Sequence, residues 1–542
     1  MAKAKWRSLA DFRIGAAADS FPPAERLLLE RARAGEFARY QRGSDAAKLR
    51  ASFVRFLLLG GDDDAPVHES GVRIEGATIE GVLDLDQCET ARPFHAKNCE
   101  FSAGIIITDA TLGNFCLDDD CRVGELADEP LGFPVAVWGD RATCKGSVFF
   151  CGGTRLTGAL RLPSSRIAGS VNLSGGEFVT EGSEVVNLVN SEIEGDLEMR
   201  SIYPTGAAIP LPNQPGGPPE RQFVVTGRAS RNMPLVRLDN AHIANRARII
   251  GAKFTLNGND GSQLDDAEAS KYCCLSAFGL RVDAGFMFHH VEKRGGVWLL
   301  GARLGTLADD PKSWGGEFSG NRFDGMTYGR IAVESPQTWQ ERKSWLLTQS
   351  RTDLRLAADA RAKDAGGLKT QPWSFAADML DKCGRPEDAR RLRIETEKQV
   401  DKATPWQDVV TLAWRWVYRL FTGYGYAFRN LLCVYVVVWL FGSLCAYWGD
   451  PQKQFCVAKP EMLSAADKTS SCAAPDQGYP AFSPFIYALE NQVPGFSVDQ
   501  KTYWRPKFGS WIEWALRIQY GLGFVLSAGI LAHIGSKLFR AD

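Results

Sequence analysis

No uncharged apolar run long enough to cross a bilayer occurs before residue 431, so everything upstream reads as soluble protein. The basic N-terminus, MAKAKWRSLADFRIGAAADSF, lacks the apolar core of a secretory signal. That places the first two thirds of the chain in the cytosol, with most cysteines reduced. Net charge is almost absent: 63 basic and 64 acidic side chains show no footprint for a nucleic-acid partner. Thirteen cysteines in 542 residues are too sparse, and wrongly spaced, for a small disulfide scaffold. A P-loop, a Ser/His/Asp set and a zinc spacing are also missing, so no catalytic residue, cofactor or metal is expected. Cys273-Cys274 and His289-His290 are adjacent pairs; on a strand each pair points to opposite faces and offers one ligand per side.

Glycine is plentiful, with 54 residues, mostly in the first two thirds. From Gly71 onward a small residue, any residue, then an aliphatic or Phe recurs, as in Ala77-x-Ile79, Cys99-x-Phe101, Ser165-x-Ile167, Ala252-x-Phe254 and Ala302-x-Leu304. The steps are mostly about 11 residues or multiples of it, the mark of a repeat array. Strands this short bury an apolar face only when stacked on like neighbours. The expected class is therefore mainly β: a β-solenoid, a right-handed β-helix of about 11-residue units, over 67–333. A helical cap at 1–66, with helices at 24–38 and 44–59, precedes it, and a Pro/Gly-rich excursion at 203–231 interrupts it. A helical hairpin at 334–405 follows, then a membrane domain with two transmembrane α-helices at 406–542.

The membrane domain reads as an interfacial helix 406–427, a first span 428–448, an extracytoplasmic loop 449–510, a second span 511–535 and a cytosolic tail. Trp414, Arg415, Trp416, Arg419 and Arg429 have the residue types of interface anchors, and Lys537 and Arg540 follow the second span. Basic flanks on both sides put both in the cytosol. In an oxidising loop compartment Cys456 and Cys472 would pair, although two free thiols are the alternative. Between the spans, Phe485 and Leu489 give the segment 482–504 an apolar face, followed by Glu490, Asn491 and Gln492. The segment either lies flat at the outer interface or dips in as a re-entrant helix with those three polar residues near a pore mouth. Arg517, one turn from Glu513, and His533 are the ionisable groups of the second span.

Several segments in order carry a resemblance: Phe53–Asp62, Gly71–Leu85, the repeats, Pro372–Ile394, Gly423-Tyr424-Gly425-Tyr426 and Phe482–Trp504. Together they resemble a widespread bacterial family of pentapeptide-repeat-like β-helix proteins with two C-terminal membrane spans, over nearly the full length. The step here is nearer 11 than 5, which departs from strict pentapeptide repeats. The resemblance implies architecture and a bacterial inner membrane, and little about activity. Members are sometimes labelled oxidoreductases, but the GxG of Gly521-Leu522-Gly523 lies inside the second span with no strand before it. The expected function is a non-enzymatic scaffold anchored in the lipid bilayer, with a protein partner on the β-helix face. The alternatives are a homo-oligomeric ion channel or membrane-perturbing effector gated by the cytosolic β-helix, and a carbohydrate-active or redox enzyme.

Overall fold

The structure is a computed structural model that describes residues 8–13, 21–127, 132–203, 219–354, 369–404, 409–424, 428–448, 454–459 and 478–538. The chain divides into two compact units, Met1–Ala403 and Thr404–Asp542.

In the first unit, short strands pair in parallel into sheets of 17, 9 and 8 strands. Each sheet carries an inward row of apolar side chains in register. One row runs Val72, Phe94, Phe115, Val148, Val171, Leu197, Ala247, Phe286, Leu307. A second runs Leu49, Ile79, Phe101, Val123, Leu156, Phe178, Val225, Phe254. A third runs Leu83, Ile105, Val137, Leu160, Val186, Val236, Leu275, Val297. All of these side chains are buried in the core. Successive rings meet along a row, as Phe94 and Phe115 do at 5.2 Å, which adds to the burial itself.

The expected mainly-β solenoid of about 11-residue units is not what this chain forms. Helix makes up 31% and strand 27% of it, and the large parallel sheets stack in an α/β-like arrangement. Two physical features defeat the uniform repeat. First, the steps between ladder neighbours are uneven: Phe115 pairs with Val148, but Leu197 pairs with Ala247. Second, Arg303–Asp309 runs as one seven-residue strand that pairs with both Arg281–Val282 and Gly285–His289, joining two ladders into the 17-stranded sheet. The small residue of each triplet is not the one that turns the chain. The residue that turns is the one before the small residue: Asp109, Asn190 and Asn240 take positive φ of 51°, 56° and 55°, a conformation that Asn and Asp tolerate better than most.

At the N-terminal end, helix α1 (Pro23–Ala34) and helix α2 (Ala51–Leu58) cover the first strands. Glu25 of α1, fully buried, pairs with Arg50, whose Nε donates at 2.7 Å. The single helix expected over 44–59 is broken, because Lys48–Arg50 pairs as a strand with Thr78–Glu80. At the other end come α3 (Trp339–Leu347) and the antiparallel pair α4 (Gln371–Lys382) and α5 (Pro386–Ala403). Trp314, Phe323 and Trp345 form a buried aromatic cluster there. Beside it Arg342 donates two hydrogen bonds to Asp309 at 2.9 and 3.0 Å, with both side chains wholly buried.

The second unit holds α6 (Val409–Thr422), α7 (Phe428–Trp448), α8 (Pro484–Gln492) and α9 (Trp511–Leu538). Two of its helices are long and apolar enough to cross a membrane, over Arg429–Trp448 and Trp511–Leu531. A small antiparallel pair, Phe455–Val457 with Trp504–Pro506, lies between them in sequence.

Candidate functional site

The sequence points to the polar end of α8, and there the second unit concentrates its buried polar groups. Ser483-Pro484 starts the helix, with Pro at its first position where no N–H is needed. Phe485 and Ile486 are exposed, whereas Glu490, Asn491 and Gln492 are buried. The apolar face is therefore outside and the polar end inside, the reverse of a helix docked on a water-soluble core.

Each buried amide has a protein partner. Asn491 donates to the carbonyl of Leu516 at 2.8 Å and to Oε1 of Gln519 at 3.1 Å. Gln492 donates to the carbonyl of Tyr435 at 2.8 Å. Gln519 donates to the carbonyl of Ala488 at 3.1 Å and to Oε1 of Gln492 at 3.2 Å. Trp439 donates to the carbonyl of Phe485 at 3.0 Å. Tyr435 and Trp439 lie in the middle third of the 21-residue α7, so α8 packs against the centre of that helix. The carboxylate of Glu490 accepts from Ser497 Oγ at 3.1 Å and from the backbone N–H of Lys501 at 3.2 Å.

Two glycines permit this approach. A Cβ on Gly523 would stand 2.3 Å from the carbonyl oxygen of Gln492, and one on Gly442 would stand 2.2 Å from the Gln519 carboxamide. Small residues of this kind let helices close to backbone distance.

The remaining expected site residues are scattered. Trp414 and Trp416 are exposed on α6, and Arg415 lies 6.0 Å from the ring of Tyr424. Arg419 and Arg429 are exposed on α6 and α7. Arg517 pairs with Glu513 at 2.6 Å and stacks over Trp514. Leu489 is half-buried beside the polar end. Cys456 is disulfide-bonded; Cys472, Arg540 and the side chains of His533 and Lys537 lie outside the described residues.

Sequence reasoning missed Gln519, Tyr435 and Gly442, the receiving half of the amide cluster. Gln519 is the signal that was available, a lone carboxamide in an apolar helix. Among the described residues no group of three His, Cys, Asp or Glu gathers as a metal would need. Cys273 and Cys274 are buried in the first unit, and His289 is buried beside the half-exposed His290. No protein-family model, no curated protein and no solved structure matches this chain.

Proposed function

We propose that the chain is a non-enzymatic protein anchored in a lipid bilayer by α7 and α9, with the parallel-sheet unit serving as a platform for a protein partner. The observation that carries the reading is the use made of Asn491 and Gln492. Both donors of Asn491 and one of Gln492 are spent on the backbone of α7 and α9 and on Gln519, and Oε1 of Gln492 accepts from Gln519, so they lock three helices together. Amides lining an aqueous lumen would instead keep donors for water or ions. The apolar residues left exposed, such as Val437 and Phe441 on α7 and Phe524 and Val525 on α9, suit acyl chains.

The platform reading draws support from the exposed rows of the sheets. Along one, Glu100 lies beside Arg122, Arg155 beside Glu177 and Lys253 beside Glu292. These are long, flat, charge-balanced faces of the kind a polar protein surface can follow. In this proposal the membrane is a bacterial inner membrane, the sheet unit and C-terminus are cytosolic, and the loop 449–510 is outside. The resemblance to the two-span bacterial family belongs to the same proposal, resting on the order of its segments.

A second reading, a homo-oligomeric channel, is favoured by one feature: α8 enters beside both apolar helices, giving a helix, short helix, helix plan. One such set encloses no pore, so this reading needs several copies. Native mass spectrometry of the full chain in mild detergent separates the two. The anchor reading expects one copy or two; a closed ring of four or more would overturn it in favour of the channel.

A further inference from the structure

The second inward row of the sheets ends on a lysine. From Leu49 through Phe101 and Phe178 to Phe254 every position in that row is apolar and buried. The next strand places Lys293 directly in register with Phe254. Its ammonium donates to the carbonyl of Gly295 at 2.9 Å and to Oδ1 of Asn321 at 3.1 Å. Asn321 cannot turn that oxygen away: Oδ1 also accepts from the N–H of Val297 at 2.9 Å, while its amide donates to the carbonyl of Trp314 and to Thr348 Oγ1. An ammonium has three donors, and two are accounted for. Among the described residues no carboxylate lies within ion-pairing distance of it.

This lysine lines a cleft of about 800 Å³. Four cationic side chains line the cleft, Lys271, Lys293, Arg294 and Arg351, against two acids, Asp266 and Glu317. Lys271 pairs with Glu268 outside the lining, and Arg294 lies 3.8 Å from Asp266. Arg351 stacks over the ring of Phe318 at 5.1 Å. Gly315 and Gly316 also line the cleft. A Cβ on Gly315 would sit 3.6 Å from the Lys293 ammonium, and one on Gly316 would meet nothing within 4 Å. At Gly315 the Cβ would also meet Ser319 Oγ at 2.9 Å, so a side chain there would crowd both Ser319 and the lysine, whereas Gly316 faces open space.

We propose that this cleft binds a small organic oxyanion, a phosphate ester or a carboxylate, with the ammonium of the half-buried Lys293 as the inner anchor and Arg351 over Phe318 as the outer clamp. A charge placed in an apolar row is costly unless it is compensated, and an anion supplies the missing compensation. Burial also pushes the Lys293 ammonium below its ordinary range, a strain that a bound anion relieves.

The test is isothermal titration of the full chain in detergent, at low salt, with pyrophosphate and with citrate as probes. Saturable binding of at least one probe is expected, weakened at least about tenfold in Lys293→Met and about threefold in Arg351→Ala. Which probe saturates tells phosphate from carboxylate. Lys293→Met restores an apolar residue to an apolar row, so the variant is expected to melt no lower than wild type. Should it fail to fold, wild-type protein gives the reading by mass-spectrometric acetylation: the saturating probe slows modification of Lys293 and leaves the exposed Lys145 unchanged. The proposal is overturned if neither probe saturates, if Lys293→Met binds as tightly as wild type, or if the probe does not protect Lys293.

Discussion

Both units bury neutral polar groups such as Asn321 and Asn491, but among the described residues only the sheet unit also buries ion pairs: Asp309 with Arg342, Glu184 between Arg161 and Arg237, and Glu25 with Arg50. The helical unit buries mainly neutral amides and hydroxyls: Asn491, Gln492, Gln519 and Ser443. An ion pair in a protein core has a partner and nearby backbone dipoles to offset desolvation. A helix facing acyl chains has no such reserve, and there carboxamides bridge helices at lower cost.

The largest expected effect breaks the ionic side of this contrast. Arg342→Met leaves Asp309 charged and buried and should cost about 3–5 kcal/mol, whereas Asp309→Leu with Arg342→Met should recover most of that loss. Chemical denaturation followed by tryptophan fluorescence reads it, with Trp314, whose indole donates to Asp309 at 2.9 Å, among the reporters. A double variant as weak as the single one would mean that the pair does more than neutralise charge.

Next comes His289, whose pKa is pushed down to about 4 by burial and then by His290. The folded value lies below the ordinary 6.5, so the unfolded chain takes up the proton first as pH falls. The contribution is whole above pH 6.5 and is lost towards pH 4, by about 3 kcal/mol. Urea midpoints at pH 7 and 4.5 should converge for His289→Asn relative to wild type.

On the neutral side, Gln519→Leu removes the hub of the amide cluster and should cost about 2 kcal/mol in detergent. Gln519→Glu sharpens the contrast, because it keeps the shape and adds charge. It should cost more than the leucine when the protein is in lipid, as judged by thermal melts in nanodiscs. The smallest effect is at the edge of the sheet unit. Thr338 caps α3 in a reciprocal box with Glu341, and Thr338→Ala should cost about 1 kcal/mol in the same denaturation assay.

How far the sequence could be read depended on how local each cause is. The two apolar helices were legible from composition alone. The core rows were legible because small-x-apolar triplets such as Ala252-x-Phe254 recur. The fold class was misjudged because uneven steps and the long strand Arg303–Asp309 depend on which ladders meet, and no triplet encodes that. The burial of Gln492 depends on Tyr435, 57 residues away, so the pattern of α8 alone left two placements open, flat at an interface or re-entrant with the amides near a pore mouth, and neither buried the amides between helices. Lys293 was hidden for a similar reason. Val291-Glu292-Lys293 looks like an ordinary surface stretch until it is laid in register on Ala252-Lys253-Phe254.

The most direct test of the anchor is ion flux through liposomes reconstituted with the full chain. A unit whose amides are spent on holding helices together should leave flux at the level of empty liposomes, in wild type and in Gln492→Leu alike. Wild-type flux that Gln492→Leu abolishes would contradict it, and would make the end of α8 the lining of a pore.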